Sequence, residues 1–299
     1  MTGASGLIGR AVVERLRADG HETVPLVRPG AQPSAAGAPV ISWDPATGRI
    51  DGSALEGLDA VVHLAGEPIA ARRWSQTQKR RIAESRQRGT ALLAGALARL
   101  EAPPAVLVSA SAIGYYTDRG DERLDESSSA GTGFLAEVCG RWEAAAAPAR
   151  EAGIRVVHPR TGVVLSRSGG ALAEMLPFFR VGLGGRIGNG RQWMSWITLH
   201  DEAAALVWLL DADIEGPVNL TAPMPVTNRE FTAALARALR RPALLPTPKP
   251  ALWARLGREL TEALLYSSAR VEPSALQAGG FTFAHPDIAT GLQAVLHST

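Results

Sequence analysis

Met1-Thr2-Gly3-Ala4-Ser5-Gly6-Leu7-Ile8-Gly9 sets three glycines at three-residue steps ahead of a helical pattern, and the reading of this stretch decides the fold. Gly3 permits the positive φ of a tight turn, Gly6 lets a ligand approach the backbone, and Gly9 allows close helix packing. Unpaired N–H groups at a helix start attract anions. The spacing therefore predicts a backbone that wraps a pyrophosphate, with Ser5, Leu7 and Ile8 in the turn. The helix expected over 7–19 sets Leu7, Ile8, Ala11, Val12 and Leu16 against Arg10, Glu14 and Arg17, and stops at Asp19-Gly20. His21 to Val27 then reads as a buried parallel strand, with Pro25 better suited to its start than its middle. Glycine turn, helix and strand make half of a doubly wound, Rossmann-type parallel α/β sheet. That fold needs a central strand before the first glycine, and only Met1 and Thr2 stand there. The first strand is thus expected to be truncated: either the start lies several residues upstream, which we favour, or the sheet is built without its middle.

The 299 residues suffice for one large or two unequal domains, and with 46% apolar and 20% charged residues the chain is globular. A net charge of +2 with scattered basic residues, and no interleaved aromatics, argues against nucleic acid. The single cysteine, Cys139, excludes an internal disulfide or a cysteine metal cluster, and no metal site is expected. There is no leader pattern and no apolar run near membrane-span length, so a cytoplasmic protein without membrane contact is the expectation. Nothing in the pattern speaks to oligomeric state.

Arg28 stands just past the second strand, where dinucleotide folds meet the adenine ribose. With no acid over 26–28, an arginine there favours a 2′-phosphate, hence NADP over NAD. A loop over 29–38 leads to a strand over 39–43. The next strand, Ala60 to Gly66, ends in Leu64-Ala65-Gly66, whose small residues leave room for a bound ring; His63, mid-strand, reads as a packed core residue. A helix over 74–100 carries Ser85 and Arg86, which could face a cofactor or solvent. Ala105 to Ser111 turns hydroxylic at its end, bringing Ser109, Ser111, Tyr115 and Tyr116 to the ligand-facing edge, where hydroxyls can bond a carbonyl or alcohol. Glu67 is the remaining acid expected near that pocket, where it could act as a base.

At this point the chain resembles the extended short-chain dehydrogenase/reductase family, in its atypical branch of epimerase family proteins. The likeness rests on 2–9, His63 to Ile69, Ser85-Arg86, Ser109-Ala110-Ser111 and Gly114-Tyr115-Tyr116. It continues through Pro159-Arg160-Thr161-Gly162-Val163-Val164-Leu165 and Gly182 to Ile197. It implies a glycine turn holding NAD(P), Ser111 at the active-site serine position, Pro159 and Arg160 beside the nicotinamide, and substrate-binding chain after the sixth strand. It also exposes a departure. The family's tyrosine and the lysine four residues later fall here on Leu135 and Cys139, and no YxxxK occurs elsewhere. Tyr115 or Tyr116 could substitute, but a tyrosine without its lysine keeps a pKa near 10.

The remaining chain adds strand 154–158 and a glycine-rich stretch, 166–191, read as a mobile cover. Trp193 and Trp196 follow, then a helix from Asp201, read as its N-cap, and a capping box Thr227/Glu230. A proline cluster precedes a mainly helical tail over 251–299 that shows no titratable constellation. The expected division is 1–165 with 200–222 for the NADP-binding domain, and 166–199 with 223–299 for the smaller substrate side. Two functions follow. One is NADP(H)-dependent oxidation-reduction or epimerisation of a small carbonyl or sugar-like substrate. The other is a sensor or partner-binding protein that has kept the cofactor cradle and lost the proton relay.

Overall fold

The computed structural model describes residues 1–30, 39–243 and 245–297, so most of the loop expected over 29–38 lies outside the described residues. Four strands form the centre of a parallel sheet: β3 (Ala60–His63), β4 (Val106–Ser109), β5 (Arg155–Thr161) and β6 (Gly216–Leu220), paired in that order. On the far side β1 (Leu26–Val27) pairs with β2 (Ile41–Asp44), also in parallel. Between the two groups stands Thr2, bridged in parallel to Leu26 on one side and His63 on the other. Thr2 N–H donates to the Val62 carbonyl at 2.9 Å, and Leu26 N–H donates to the Met1 carbonyl at 2.7 Å. The sheet is therefore continuous, ordered β2-β1-Thr2-β3-β4-β5-β6, the doubly wound arrangement with its central place held by one bridging residue. The strands expected over 21–27 and 39–43 shrink to these short pieces, because pairing extends only as far as Met1–Thr2 and β1 can supply partners.

Apolar runs in the strands are explained by burial on both faces. Val61, Leu107 and Val156 point to one side, where Leu93 and Leu97 of α2 (Gln76–Leu97) and Trp43 meet them. Their neighbours Val62, Val108 and Val157 point to the other, against Val12 and Leu16 of α1 (Leu7–Ala18) and Leu206 and Leu209 of α5 (Leu199–Asp211). Each such side chain contributes about 1.5–3 kcal/mol. A third cluster joins Leu172, Leu176 and Phe179 of α4 (Gly170–Arg180), Phe231 and Leu235 of α6 (Asn228–Leu239) and Leu292 of α7 (Ile288–His297) around fully buried Trp196.

Two local expectations change. Asp201 does not cap α5. Thr198 does, its hydroxyl accepting the Asp201 N–H at 3.1 Å, while the Asp201 carboxylate takes the N–H groups of Ala284 and His285 at 3.0 and 2.9 Å. The glycine-rich stretch is no bare cover, since it holds α4. Gly184 and Gly185 serve close packing instead: a Cβ would sit 2.3 Å from the Phe179 ring at the first and 1.7 Å from the Leu245 carbonyl oxygen at the second. Trp196 is core, its indole N–H donating to the Met224 carbonyl at 3.1 Å. The capping box is formed: Thr227 and Glu230 bond reciprocally at the start of α6. No helix among the described residues is long and apolar enough to cross a membrane.

Candidate functional site

The crevice lies where strand order reverses, beyond the carboxyl ends of Thr2 and His63. Gly3 takes φ +69° there, and a Cβ on it would lie 2.9 Å from Leu64 C and 3.0 Å from Ala65 N. Gly9, buried in the first turn of α1, would place a Cβ 2.1 Å from the Gly3 carbonyl oxygen. Both positions thus admit only glycine. Gly6 N–H closes the turn on Gly3 O at 3.0 Å, and Gly6 itself is exposed at the N-cap of α1. No side chain caps that end, and no acid stands in its first turn. Ser5 is exposed, its carbonyl held by Arg10 at 3.0 Å; Ile8 packs into the core, and the Leu7 side chain lies against Gly169 and Gly170, which border the turn. An open helix end over a floor too tight for any Cβ fits a pyrophosphate.

The opposite wall is held by a hydroxyl that sequence reading passed over. Thr2 Oγ1 accepts N–H bonds from Leu64 and Ala65, both at 3.1 Å, so its own proton goes to His63 Nδ1 at 2.7 Å. His63 Nε2–H then donates to Thr90 Oγ1 at 3.0 Å, which also accepts the Trp142 indole N–H. Burial holds the His63 ring neutral, lowering its pKa to about 4. It is a packed core residue, as expected. Behind Gly66, Arg86 is buried over the Trp142 ring and donates to the Glu67 carbonyl at 2.9 Å, so it shapes the wall from inside. The Ser85 hydroxyl accepts the Glu67 N–H, and Gln78 donates to the Glu67 carboxylate at 3.2 Å. Arg28 is exposed at the carboxyl end of β1.

A second cluster gathers at the end of β4. Ser111 Oγ donates to Glu143 at 2.6 Å, and Glu143, near the end of α3 (Phe134–Ala144), accepts two bonds from the Arg160 fork at 2.8 and 2.9 Å. Arg160 also donates to the Tyr116 hydroxyl at 2.9 Å and lies 3.5 Å from the Tyr115 ring centre. These bonds tie Arg160 to the Ser111 side. Burial would lower its pKa, but the Glu143 bonds outweigh that and raise it. Pro159 is buried in β5 where the pairing changes from β4 to Ser111–Ala112, a place that demands no N–H. Ser109 is buried, with no partner for its hydroxyl among the described residues.

Tyr116 and Tyr115 divide sharply. Tyr116 is fully buried, its hydroxyl donating to Asn219 at 2.8 Å, and burial raises its pKa to about 12. Those bonds and that burial remove Tyr116 from the proton donors. Tyr115 is half-buried, and its hydroxyl makes no hydrogen bond among the described residues. On α3, the positions where the family carries tyrosine and lysine are apolar: Leu135 Cβ and Cys139 Sγ lie 3.5 and 3.7 Å from where a Gly114 Cβ would stand. Burial pushes the Cys139 thiol up to about 12, so it is inert. Beside Leu135 opens a cleft of about 590 Å³ lined by Trp74, Thr117, Phe134, Arg258 and Glu262 among others. Trp74 and Phe134 meet edge to face at 5.0 Å there.

Comparison with known proteins agrees with this geometry. Residues 1–220 match the model of the NAD dependent epimerase/dehydratase family, and 247–295 match a domain of unknown function (DUF1731). An epimerase family protein of Mycobacterium bovis is 47% identical over 293 residues, covering 98% of this chain and 95% of its own. The crystal structure of human epimerase family protein SDR39U1 with NADPH superposes with a TM-score of 0.89 at 34% identity, over 100% of this chain and 98% of that one. A nucleoside-diphosphate sugar epimerase from Corynebacterium glutamicum gives 0.76 at 38% identity, over 98% of this chain and 56% of that one. With its doubly wound sheet and glycine cradle, the chain belongs to the NAD dependent epimerase/dehydratase family.

Proposed function

We propose that this protein binds NADPH at the Gly3–Gly9 turn and uses it for oxidation-reduction or epimerisation of a small carbonyl or sugar-like substrate. The observation that carries the reading is the cradle itself, whose floor at Gly3 and Gly9 leaves no space for a Cβ beside an open helix end. The similar human protein is described with NADPH. When bound, that cofactor supplies or accepts a hydride. The chain's own part is division of labour between the two sides of the crevice. Gly6, Leu64 and Ala65 offer backbone to the cofactor, and Arg28 offers its guanidinium to a 2′-phosphate. The cleft beside Trp74 and Phe134 takes the substrate, within the smaller unit formed by 166–199 and 223–299 and the facing edge of the domain formed by 1–165 and 200–222. Ser111, its proton held by Glu143 and Glu143 in turn by Arg160, offers its oxygen to a substrate hydroxyl. Tyr115, with an uncommitted hydroxyl, is the proton donor.

A second reading draws on Leu135 and Cys139. Apolar packing at both relay positions favours a protein that binds NADPH and signals its presence without turnover. Fluorescence titration with NADPH and NADH tests the shared premise. NADPH binds at least tenfold more tightly, and Arg28→Ala removes most of that preference; equal binding of both cofactors would sink the role of Arg28. NADPH oxidation over a panel of carbonyl compounds then separates the readings. Turnover that falls roughly tenfold to a hundredfold or more in Tyr115→Phe, and is unaffected by loss of the Cys139 thiol, supports the enzyme. Binding without turnover across the panel supports the sensor.

A further inference from the structure

We propose that His200, Asp201 and His285 form a binding site for a divalent ion of the zinc class. The fold assembles what sequence reading could not, since the tail over 251–299 carried no titratable cluster of its own. His200 and Asp201 stand on the first turn of α5. His285 arrives from the loop before α7 and is fastened there by its own N–H, which donates to the Asp201 carboxylate at 2.9 Å. Asp201 is buried, so its orientation is fixed, and His200 is exposed.

The donor spacing is that of a metal site. His200 Nδ1 lies 3.2 Å from Asp201 Oδ1, and His285 Nδ1 lies 3.4 Å from Oδ2. One ligand atom from each of the three residues lies within 4.8 Å of the others. Bonds of about 2.0–2.2 Å to a tetrahedral ion set neighbouring donors roughly 3.3–3.6 Å apart; the 3.4 Å pair falls in that range and the 3.2 Å pair just below it, each made to a different oxygen of the carboxylate. The two rings stand nearly perpendicular, at 83°, with centres 5.4 Å apart, so their nitrogens converge on the carboxylate without the rings stacking.

Thr198 Oγ1 accepts the Asp201 N–H and lies 3.1 Å from His285 Nδ1, so an ion would compete with this hydroxyl for the nitrogen, and His285 would coordinate by giving up the Thr198 contact. Two imidazoles and one carboxylate suit zinc, nickel or copper rather than magnesium or calcium. Three protein donors would leave a fourth position for water, and His200 is the exposed member of the set. An ion here would clip α5 of the sheet domain to the 284–285 segment of the tail, and so stabilise the joint.

Calorimetric titration of the metal-free full chain with zinc chloride tests this. One equivalent binds with micromolar or tighter affinity, the melting temperature rises with zinc, and magnesium chloride does neither. His200→Ala, an exposed position, leaves metal-free melting unchanged and weakens zinc binding roughly tenfold or more. His285→Ala gives the same loss of affinity. No saturable zinc binding, or binding undiminished in His200→Ala, would overturn the proposal.

Discussion

The glycine cradle and the Ser111 cluster face one another across a single sheet edge, yet they are built from different materials. The cradle is almost all backbone: turns, N–H groups and spaces that exclude a Cβ at Gly3 and Gly9. The Ser111 cluster is all side chain, with Ser111, Glu143, Arg160 and Tyr116 joined in one chain of hydrogen bonds. A backbone site is retained as long as the fold is retained. A side-chain site can be rewritten one residue at a time, and the resemblance sets the family's tyrosine and lysine at Leu135 and Cys139, neither of which can move a proton as they do. Binding and chemistry are therefore separable in this architecture, and the cradle says more about the first than the second.

The sharpest way to break the comparison is to break the side-chain cluster. Arg160 is 4% exposed and Glu143 14%, so removing the guanidinium leaves the carboxylate with Ser111 as its one donor and no countercharge, and takes from the Tyr116 hydroxyl the bond it accepts. Arg160→Ala should cost about 3–5 kcal/mol of stability, read as a loss in urea midpoint, whereas Arg160→Met with Glu143→Gln recovers most of it. If the double variant is no better than the single one, the cluster is held by packing and not by charge. The cradle should respond in the opposite manner. Gly6 has φ −73° and a Cβ there would stand 3.3 Å from Gly3 O, close but tolerable, so Gly6→Ala should fold normally. Its methyl would nevertheless intrude on the ligand face, lowering NADPH affinity by roughly tenfold to a hundredfold, about 1.4–2.8 kcal/mol. Unchanged affinity would mean that the nucleotide lies elsewhere.

Sequence legibility follows the same division. The cradle, the apolar strands and the Thr227/Glu230 capping box depend on local sequence, and each could be read from the chain before any contact was known. Met1–Thr2 was too short to read as a strand, but Thr2 needs only one bridge on each side to complete the sheet. What stayed hidden depends on partners far along the chain. Tyr115 and Tyr116 are neighbours of equal chemistry, and only the arrival of Asn219 and Arg160 buries one hydroxyl and spares the other. Asp201 looked like a helix cap because its partners, Ala284 and His285, lie more than eighty positions away. Glycines at 184 and 185 suggested mobility, yet Phe179 and Leu245 make them tight packing sites.

Glu202 offers the subtlest contrast, because it is the carboxylate that Glu143 would be without its arginine. It is fully buried next to the end of β5, with one oxygen accepting from the Thr161 hydroxyl at 2.8 Å and the other without a partner among the described residues. Burial raises its pKa from 4.5 to about 8, with the Thr161 bond opposing. The folded chain thus binds this proton more tightly than the unfolded chain, so its contribution is fully present below pH 4.5 and is lost as pH rises through 8. His63 acts with the opposite sign: lowered from 6.5 to about 4, it costs stability as pH falls through that window. Comparing Glu202→Gln with the parent across pH cancels the histidine and isolates the carboxyl. The variant should match the parent near pH 5 and melt higher at pH 9, by about 2–4 °C for each kcal/mol of buried charge removed. A constant offset across the whole range would show that Glu202 ionises freely in the fold, and that a lone carboxylate is tolerated at this sheet edge as readily as a paired one.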